Sequence, residues 1–291
     1  MINRAMTLKE HETMFPDEDS CKKYLMEKRW PNGPKCPRCG NEKVYELSRE
    51  WHWQCRDCGG YRFSVLVGTI FENTNYPLQT WFKVIFFMLS SKKGMSALQI
   101  HRMIGTGSYS TAWYMCHRVR AGLTDVEFRK LVGFVEVDET FVGGKGKNKH
   151  KDKRGGGRGP SGKTPVIGAV SRKGKVVARV INNVDAETLD RFVRETVSDR
   201  VSLVSTDDFP GYRDLDRWFK HGVVRHKDGE YVVGSVHTNT IEGFWSLIKR
   251  GIVGTFHKVS RKYLQLYVAE FEFRYNNRKN PDIFEAAIAR C

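Results

Sequence analysis

The chain contains no run of eighteen apolar residues, the length a membrane-spanning helix requires. Its longest apolar patch, WFKVIFFML at 81–89, is interrupted by Lys83 and is better suited to a buried helix. The N-terminal stretch MINRAMTLKEHETMF lacks the apolar core of a signal peptide, so an intracellular location is expected. There is no internal repeat. Cysteine is too sparse and too unevenly placed for a disulfide framework: of seven, four are paired as Cys36/Cys39 and Cys55/Cys58, and Cys21, Cys116 and Cys291 stand alone as free thiols. Acid is also scarce. Asp and Glu number 33 against 49 Lys and Arg, a net charge of +16. This excess points to a polyanionic partner, nucleic acid above all, because Lys and Arg on phosphates release condensed counterions.

What is present reads as an ordinary globular composition, 40% hydrophobic over 291 residues, enough for one large domain or for a catalytic core with one or two small modules. Four segments are expected: a helical lead-in over 1–30, a turn-rich cysteine-bearing module over 31–75, a helical segment over 76–130, and a mixed α/β domain over 131–291. Pro16-Asp17-Glu18 opens a helix in the lead-in, and Trp81, Ile85, Met88 and Leu89 share one helical face in the third segment. In the last segment, strands are expected at 132–142, in PVIGAVSR and KVVARVIN joined by a Lys173-Gly174 turn, and at 200–207. Helices are expected at 186–198, 239–250 and 261–278. Between the first two strands lies a basic glycine-rich loop, 143–163, which supplies no core.

Cys36-Pro-Arg-Cys39-Gly and Cys55-Arg-Asp-Cys58-Gly are separated by fifteen residues. This spacing brings four thiolates to one tetrahedral zinc, with a glycine after each pair to permit the turn. Four sulfur ligands leave no open position, so the zinc is structural, and so short a ribbon needs it to fold. Arg38, Lys43, Arg49, Arg56 and Arg62 around it favour DNA. Downstream, SALQIHRMIG suits a first helix, and Ser108 or Ser110 caps a second carrying Thr111, Trp113, Tyr114, His117 and Arg118. Together they outline a helix-turn-helix, with an ordinary helical hairpin as the alternative.

FVEVDETFVGG at 134–144 places three acids in an apolar strand, where a carboxylate is costly unless paired or bound to metal. Alternation sorts Glu136 and Asp138 onto one face and Glu139 onto the other. Asp138 is the expected metal ligand, Glu136 a supporting or edge residue, and Glu139, across the sheet, is expected to be salt-bridged to a helix rather than catalytic. Asp207 ends the fourth strand, with Asp208 as its rival. On the helix from Asn239, the apolar stripe is Ile241, Trp245, Ile248 and Ile252, and a second stripe holds Asn239, Glu242, Ser246 and Lys249. Asp138, Asp207 and Glu242 together make an oxygen-rich site for hard cations, two Mg²⁺ (or Mn²⁺), of the kind that phosphodiester transfer employs.

The strand–helix order and these acids resemble a ribonuclease-H-like DDE transposase core. EVDETFVGGK, STDDFPGY, HTNTIEGFWSLIKRG and FRYNNR are similar to one group within it, the small ISXO2-like insertion-sequence transposases with an N-terminal zinc ribbon, related to the eukaryotic Merlin elements. The resemblance runs from the ribbon to about Asn280. It implies that Asp138, Asp207 and Glu242 are the three catalytic acids and Lys249 the basic residue after them; thirty-four residues separate Asp207 from Glu242. Some relatives use Asn in place of the last acid, which keeps Asn239 in view. Lys249, Lys145 and the basic loop are then candidates for phosphate contact, Asn239 and Arg118 for DNA contact, and His237 for contact with the scissile phosphate or for orienting its loop. Trp245, Arg274 and Tyr275 are expected to pack rather than to touch DNA.

The implied activity is metal-dependent hydrolysis at the terminal inverted repeats of a mobile element, followed by joining of the 3′-hydroxyls to target DNA. Such a protein acts on double-stranded DNA as a homodimer or larger assembly, in the nucleoid of a bacterium or the nucleus of a eukaryote. A non-catalytic, domesticated DNA-binding regulator and a ribonuclease-H-like nuclease without strand transfer are the alternatives.

Overall fold

The computed structural model describes residues 6–125, 128–144, 162–225, 232 and 234–291. The chain forms two compact units, one of residues 1–124 with 278–291, the other of residues 125–277. The expected ribbon and helical segments both lie in the first unit, and so do the last residues of the chain, which the sequence had continued into the α/β domain.

The first unit begins with α1 (Leu8–Met14) and α2 (Glu18–Arg29), each opened by a side-chain cap, Thr7 and Asp17. A three-stranded sheet follows, β1 (Val44–Glu46), β2 (His52–Cys55) and β3 (Arg62–Ser64), and Trp30 packs edge to face on its Trp53 and Phe63. The helix α3 (Leu78–Ser90) buries Trp81, Ile85, Met88 and Leu89, the face expected from periodicity. Two further helices, α4 (Ala97–Ile104) and α5 (Tyr109–Gly122), are joined through Gly105, and Ser108, not Ser110, caps the second. The final helix α9 (Ile283–Ile288) completes the unit: Phe284 lies against Phe15, Tyr24 and Phe82, and Lys28 pairs with Glu285 at 2.8 Å.

The second unit is a five-stranded mixed sheet in the order β6-β5-β4-β7-β8. The central strand β4 (Leu131–Val142) pairs antiparallel with β5 (Thr164–Ser171), which turns through Lys173-Gly174 into β6 (Val176–Val180). On its other side β4 runs parallel to β7 (Val197–Asp207), reached through α6 (Ala186–Thr196), and β7 runs parallel to β8 (His221–Val224). This is the ribbon-plus-ribonuclease-H-like architecture that the strand order foretold. A 3-10 helix over Pro210–Arg217 and the edge strand β8 were not foreseen.

Each sheet face carries its own core. Val135, Val137, Ile167 and Val204 pack with Leu189, Phe192 and Val193 of α6 and with Tyr212 and Leu215. Val166, Val170 and Val176 pack with Ile241, Trp245 and Ile248 of α7 (Asn239–Gly251) and with Val268 and Phe271 of α8 (Leu264–Asn276). Along the outer edge of β6, side chains of α8 stand in for a missing strand. Asn276 Oδ1, Glu272 Oε2 and Gln265 Oε1 accept from the backbone N–H groups of Val176, Ala178 and Val180 at 2.7, 3.1 and 2.7 Å. Asn276 Nδ2 donates back to the Val176 carbonyl at 2.9 Å. Buried backbone groups demand partners, and here a helix provides them.

Candidate active site and zinc site

The second unit gathers its acids where two strands part. The last paired residues of β4 and β7 are Glu136 and Ser205. Beyond them the β7 side of β4 is open, and side chains from either face of β4 reach the same gap. Asp138, Glu139 and Asp207 meet there, their carboxylate oxygens within 4.8 Å of one another. Glu139 does arise on the opposite face from Asp138, as alternation required. It is not salt-bridged to a helix, however: Tyr212, in the 3-10 helix, donates to its Oε2 at 2.6 Å, and its carboxylate lies with those of Asp138 and Asp207. Asp208, the rival to Asp207, lies outside this group.

Three carboxylates this close repel one another, and all three are half-buried. Burial, then the neighbouring Glu139 and Asp207, push Asp138 up to about 7. Burial likewise raises Glu139, although the Tyr212 hydroxyl opposes it. Oxygens so arranged fit a hard divalent cation, which takes carboxylate ligands and cancels that repulsion. Opposite Asp138 across the β4–β5 ladder stands Gly168. A Cβ there would lie 2.6 Å from the Trp245 ring, so only glycine lets the indole pass over the sheet. From that position Trp245 Nε1 donates to Asp138 Oδ2 at 2.9 Å. Gly168→Ala should therefore displace the ring and cost about 1–3 kcal/mol of stability, as overpacking does; a thermal melt equal to that of the parent would contradict it.

Glu136 has a larger role than its strand position suggested. It is 0% exposed and accepts from Arg172 Nε at 2.8 Å, from the Thr240 N–H and hydroxyl at 2.7 and 2.8 Å, and from the Ile241 N–H at 3.1 Å. A strand carboxylate thus caps the first turn of α7, whose own N-cap Thr238 forms no side-chain cap bond. Arg172 also donates to the carbonyls of Ser235 and His237, fixing the approach to the helix. His237 Nδ1 lies 3.1 Å from Glu136 Oε1. Arg172 lies 36 residues from Glu136, and Thr240 and Ile241 lie 104 and 105, so nothing local in the sequence pairs them.

The remaining expected residues sit as follows. Asn239, Glu242 and Lys249 form an exposed stripe on α7, opposite its buried Ile241, Trp245 and Ile248. Thr238 Oγ1 donates to Glu242 Oε1 at 2.9 Å, and Glu242 lies outside the cluster of Asp138, Glu139 and Asp207. Lys145 and most of the basic loop fall outside the described residues. In the first unit, both terminal nitrogens of Arg118 donate to the Glu72 carbonyl at 3.1 Å, fastening α5 to the turn before α3. Tyr109 and Tyr114 are the large side chains that α5 exposes. Of the three residues expected to pack, Trp245 and Arg274 are buried, and Tyr275 packs edge to face on Phe244.

The four paired cysteines also converge. Cys39 and Cys55 Sγ are 3.7 Å apart, Cys36 and Cys58 Sγ 4.0 Å. A tetrahedron with zinc–sulfur bonds of about 2.3 Å has edges of ~3.8 Å, so the thiolates are already spaced for the ion. Gly40 and Gly59, after each pair, adopt φ of 73° and 60°, the left-handed backbone expected of them.

Comparison with known proteins finds a family domain over each of these regions. The ISXO2-like transposase domain matches residues 130–276, and a transposase zinc-ribbon domain matches residues 16–60. An uncharacterized protein in transposable element ISH50 of Halobacterium salinarum is 31% identical over 92% of this chain and 94% of its own length. An uncharacterized transposase-like protein of Haemophilus influenzae is 34% identical over 36% of this chain and 84% of its own. A domain match over half the chain, together with a relative of nearly equal extent, places this chain in the ISXO2-like transposase family.

Proposed function

We propose that the chain binds the terminal inverted repeats of its mobile element, hydrolyses phosphodiesters at their ends and joins the freed 3′-hydroxyls to target DNA. The observation that carries this is the meeting of Asp138, Glu139 and Asp207 at the open end of the sheet, in a transposase-family chain of net charge +16. Bound divalent cations, Mg²⁺ or Mn²⁺, would neutralise charge on the transferring phosphate and activate the attacking oxygen. Asp138 and Asp207 hold them, with Glu139 entering from the other face under the control of Tyr212. Glu242 is the third catalytic acid. It reaches the site from the exposed stripe of α7, and Lys249 on the same stripe contacts phosphate. Asn239, His237 and Lys145 line the DNA path. The zinc ribbon and the pair α4–α5 supply repeat binding, with the exposed Tyr109 and Tyr114 of α5 toward the DNA. Because two ends are processed together, the working form is a homodimer or larger.

A strand-transfer assay with Mg²⁺ and oligonucleotides bearing the element's ends tests this. Joined product is expected. Cleavage without joining would make the protein a nuclease, and repeat binding with neither would make it a regulator. The raised Asp138 adds a pH dependence. Below about 7 that carboxyl keeps its proton, which a cation must displace, so Mg²⁺ affinity falls as pH drops. Titration calorimetry in buffers of different ionisation enthalpy should register proton release at pH 6 and little at pH 8.5. Equal release at both would disprove the assignment.

A further inference from the structure

We infer that Trp245 is a positioning residue for this chemistry, an inference that rests on the function proposed above: its indole N–H fixes the orientation of Asp138 and locks that acid to α7. Trp245 is 3% exposed, so bulk water does not serve its Nε1–H, and a buried indole needs an acceptor. The acceptor it has is one oxygen of the site, Asp138 Oδ2 at 2.9 Å. Indole nitrogen only donates. It therefore holds Asp138 in one rotamer beside Glu139 and Asp207.

The contact is built for. Gly168, paired with Asp138, leaves the opening through which the indole ring passes, and an alanine Cβ would close it to 2.6 Å. Glu136, two residues before Asp138 and on the same strand face, binds the N–H groups of Thr240 and Ile241. Two strand residues span about 6.8 Å. Four or five helical residues, from Thr240 or Ile241 to Trp245, span about 6–7.5 Å. The two carboxylates of β4 thus match two points one turn apart on α7, and they set the register of the helix against the strand. Glu242 and Lys249 lie on that helix, so the bond that orients Asp138 also fixes where the proposed third acid stands. Trp245 does this through Asp138, without touching substrate.

The chain has seven tryptophans, and indole N–H resonances resolve individually in ¹H–¹⁵N spectra of the full-length protein. Asp138→Asn and Mg²⁺ addition are each expected to move the same indole resonance, the one that Trp245→Phe deletes. If either leaves that resonance in place, the inference is overturned. In strand transfer, Trp245→Phe should raise the Mg²⁺ concentration for half-maximal rate by about tenfold or more, with repeat binding unchanged. Should Trp245→Phe fail to fold, the resonance that Asp138→Asn and Mg²⁺ share decides by itself. A Trp245→Phe protein with parental Mg²⁺ dependence, beside an inactive Asp138→Asn, overturns the positioning role alone. A fully active Asp138→Asn overturns the site itself.

Discussion

Asp138→Asn should abolish both cleavage and joining while leaving repeat binding intact. The amide keeps the shape of the side chain and the acceptor for Trp245 Nε1, so the fold has little reason to change. What it removes is the charge that holds a cation beside Glu139 and Asp207, and with it transition-state stabilisation on the scale of roughly 10³-fold in rate. The same substitution has an opposite signature in stability. Burial and its acidic neighbours raise Asp138 to about 7 in the folded state, above the ordinary aspartate value of the unfolded chain. A raised carboxyl gives its full stabilisation below the unfolded value, and that stabilisation is lost as pH rises through the folded one. Metal-free protein should therefore melt lower at pH 8 than this group alone would allow at pH 4, and Asp138→Asn should recover the difference only at the higher pH. Mg²⁺ should raise the melting temperature of the parent and not of the variant. Retained strand transfer in a folded Asp138→Asn protein would sink the catalytic assignment.

Loss of zinc should be as drastic in the first unit. Structural zinc contributes about 10–16 kcal/mol in small ribbons, comparable to or above the whole stability of a typical domain. The three strands around the cysteines are three or four residues long, and Trp53 and Phe63 are the large buried side chains they contribute. Cys55→Ala, or a strong chelator, is expected to release one zinc per chain and expose Trp53, with a red-shifted emission. Repeat binding should fall to the non-specific level set by charge. The second unit, with its own two cores, should keep its melting transition. A chain that carries no zinc as purified, yet binds its repeats through a folded ribbon, would overturn this.

The sequence made some of these features plain and hid others, for physical reasons. Cysteine spacing announces a zinc ribbon because four ligands and two tight turns leave little freedom. Alternation in β4 placed Glu136 and Asp138 on one face because period two is a local property of a strand. It gave the wrong partner for Glu139: the open edge of β4 beyond Glu136 depends on where β7 stops pairing, and that is a tertiary fact. Glu136 as the cap of α7, and Gly168 as the opening for Trp245, arise from contacts between distant segments and carry no short-range signature. The 3-10 helix that delivers Tyr212 was missed because Pro210-Gly211 reads as a turn. The final helix was missed because six residues are too few for periodicity to show.

The side-chain ladder from α8 onto β6 limits how copies of this protein can assemble. An exposed outer strand is a template on which another chain can add its own. Gln265, Glu272 and Asn276 already occupy the outward amides of β6, and the opposite outer strand, β8, has four residues. A nucleoprotein complex that brings two DNA ends together has no continuous β-seam available at β6. In the assembly proposed above, copies would therefore meet through surfaces other than β6, such as helices, loops or the DNA itself.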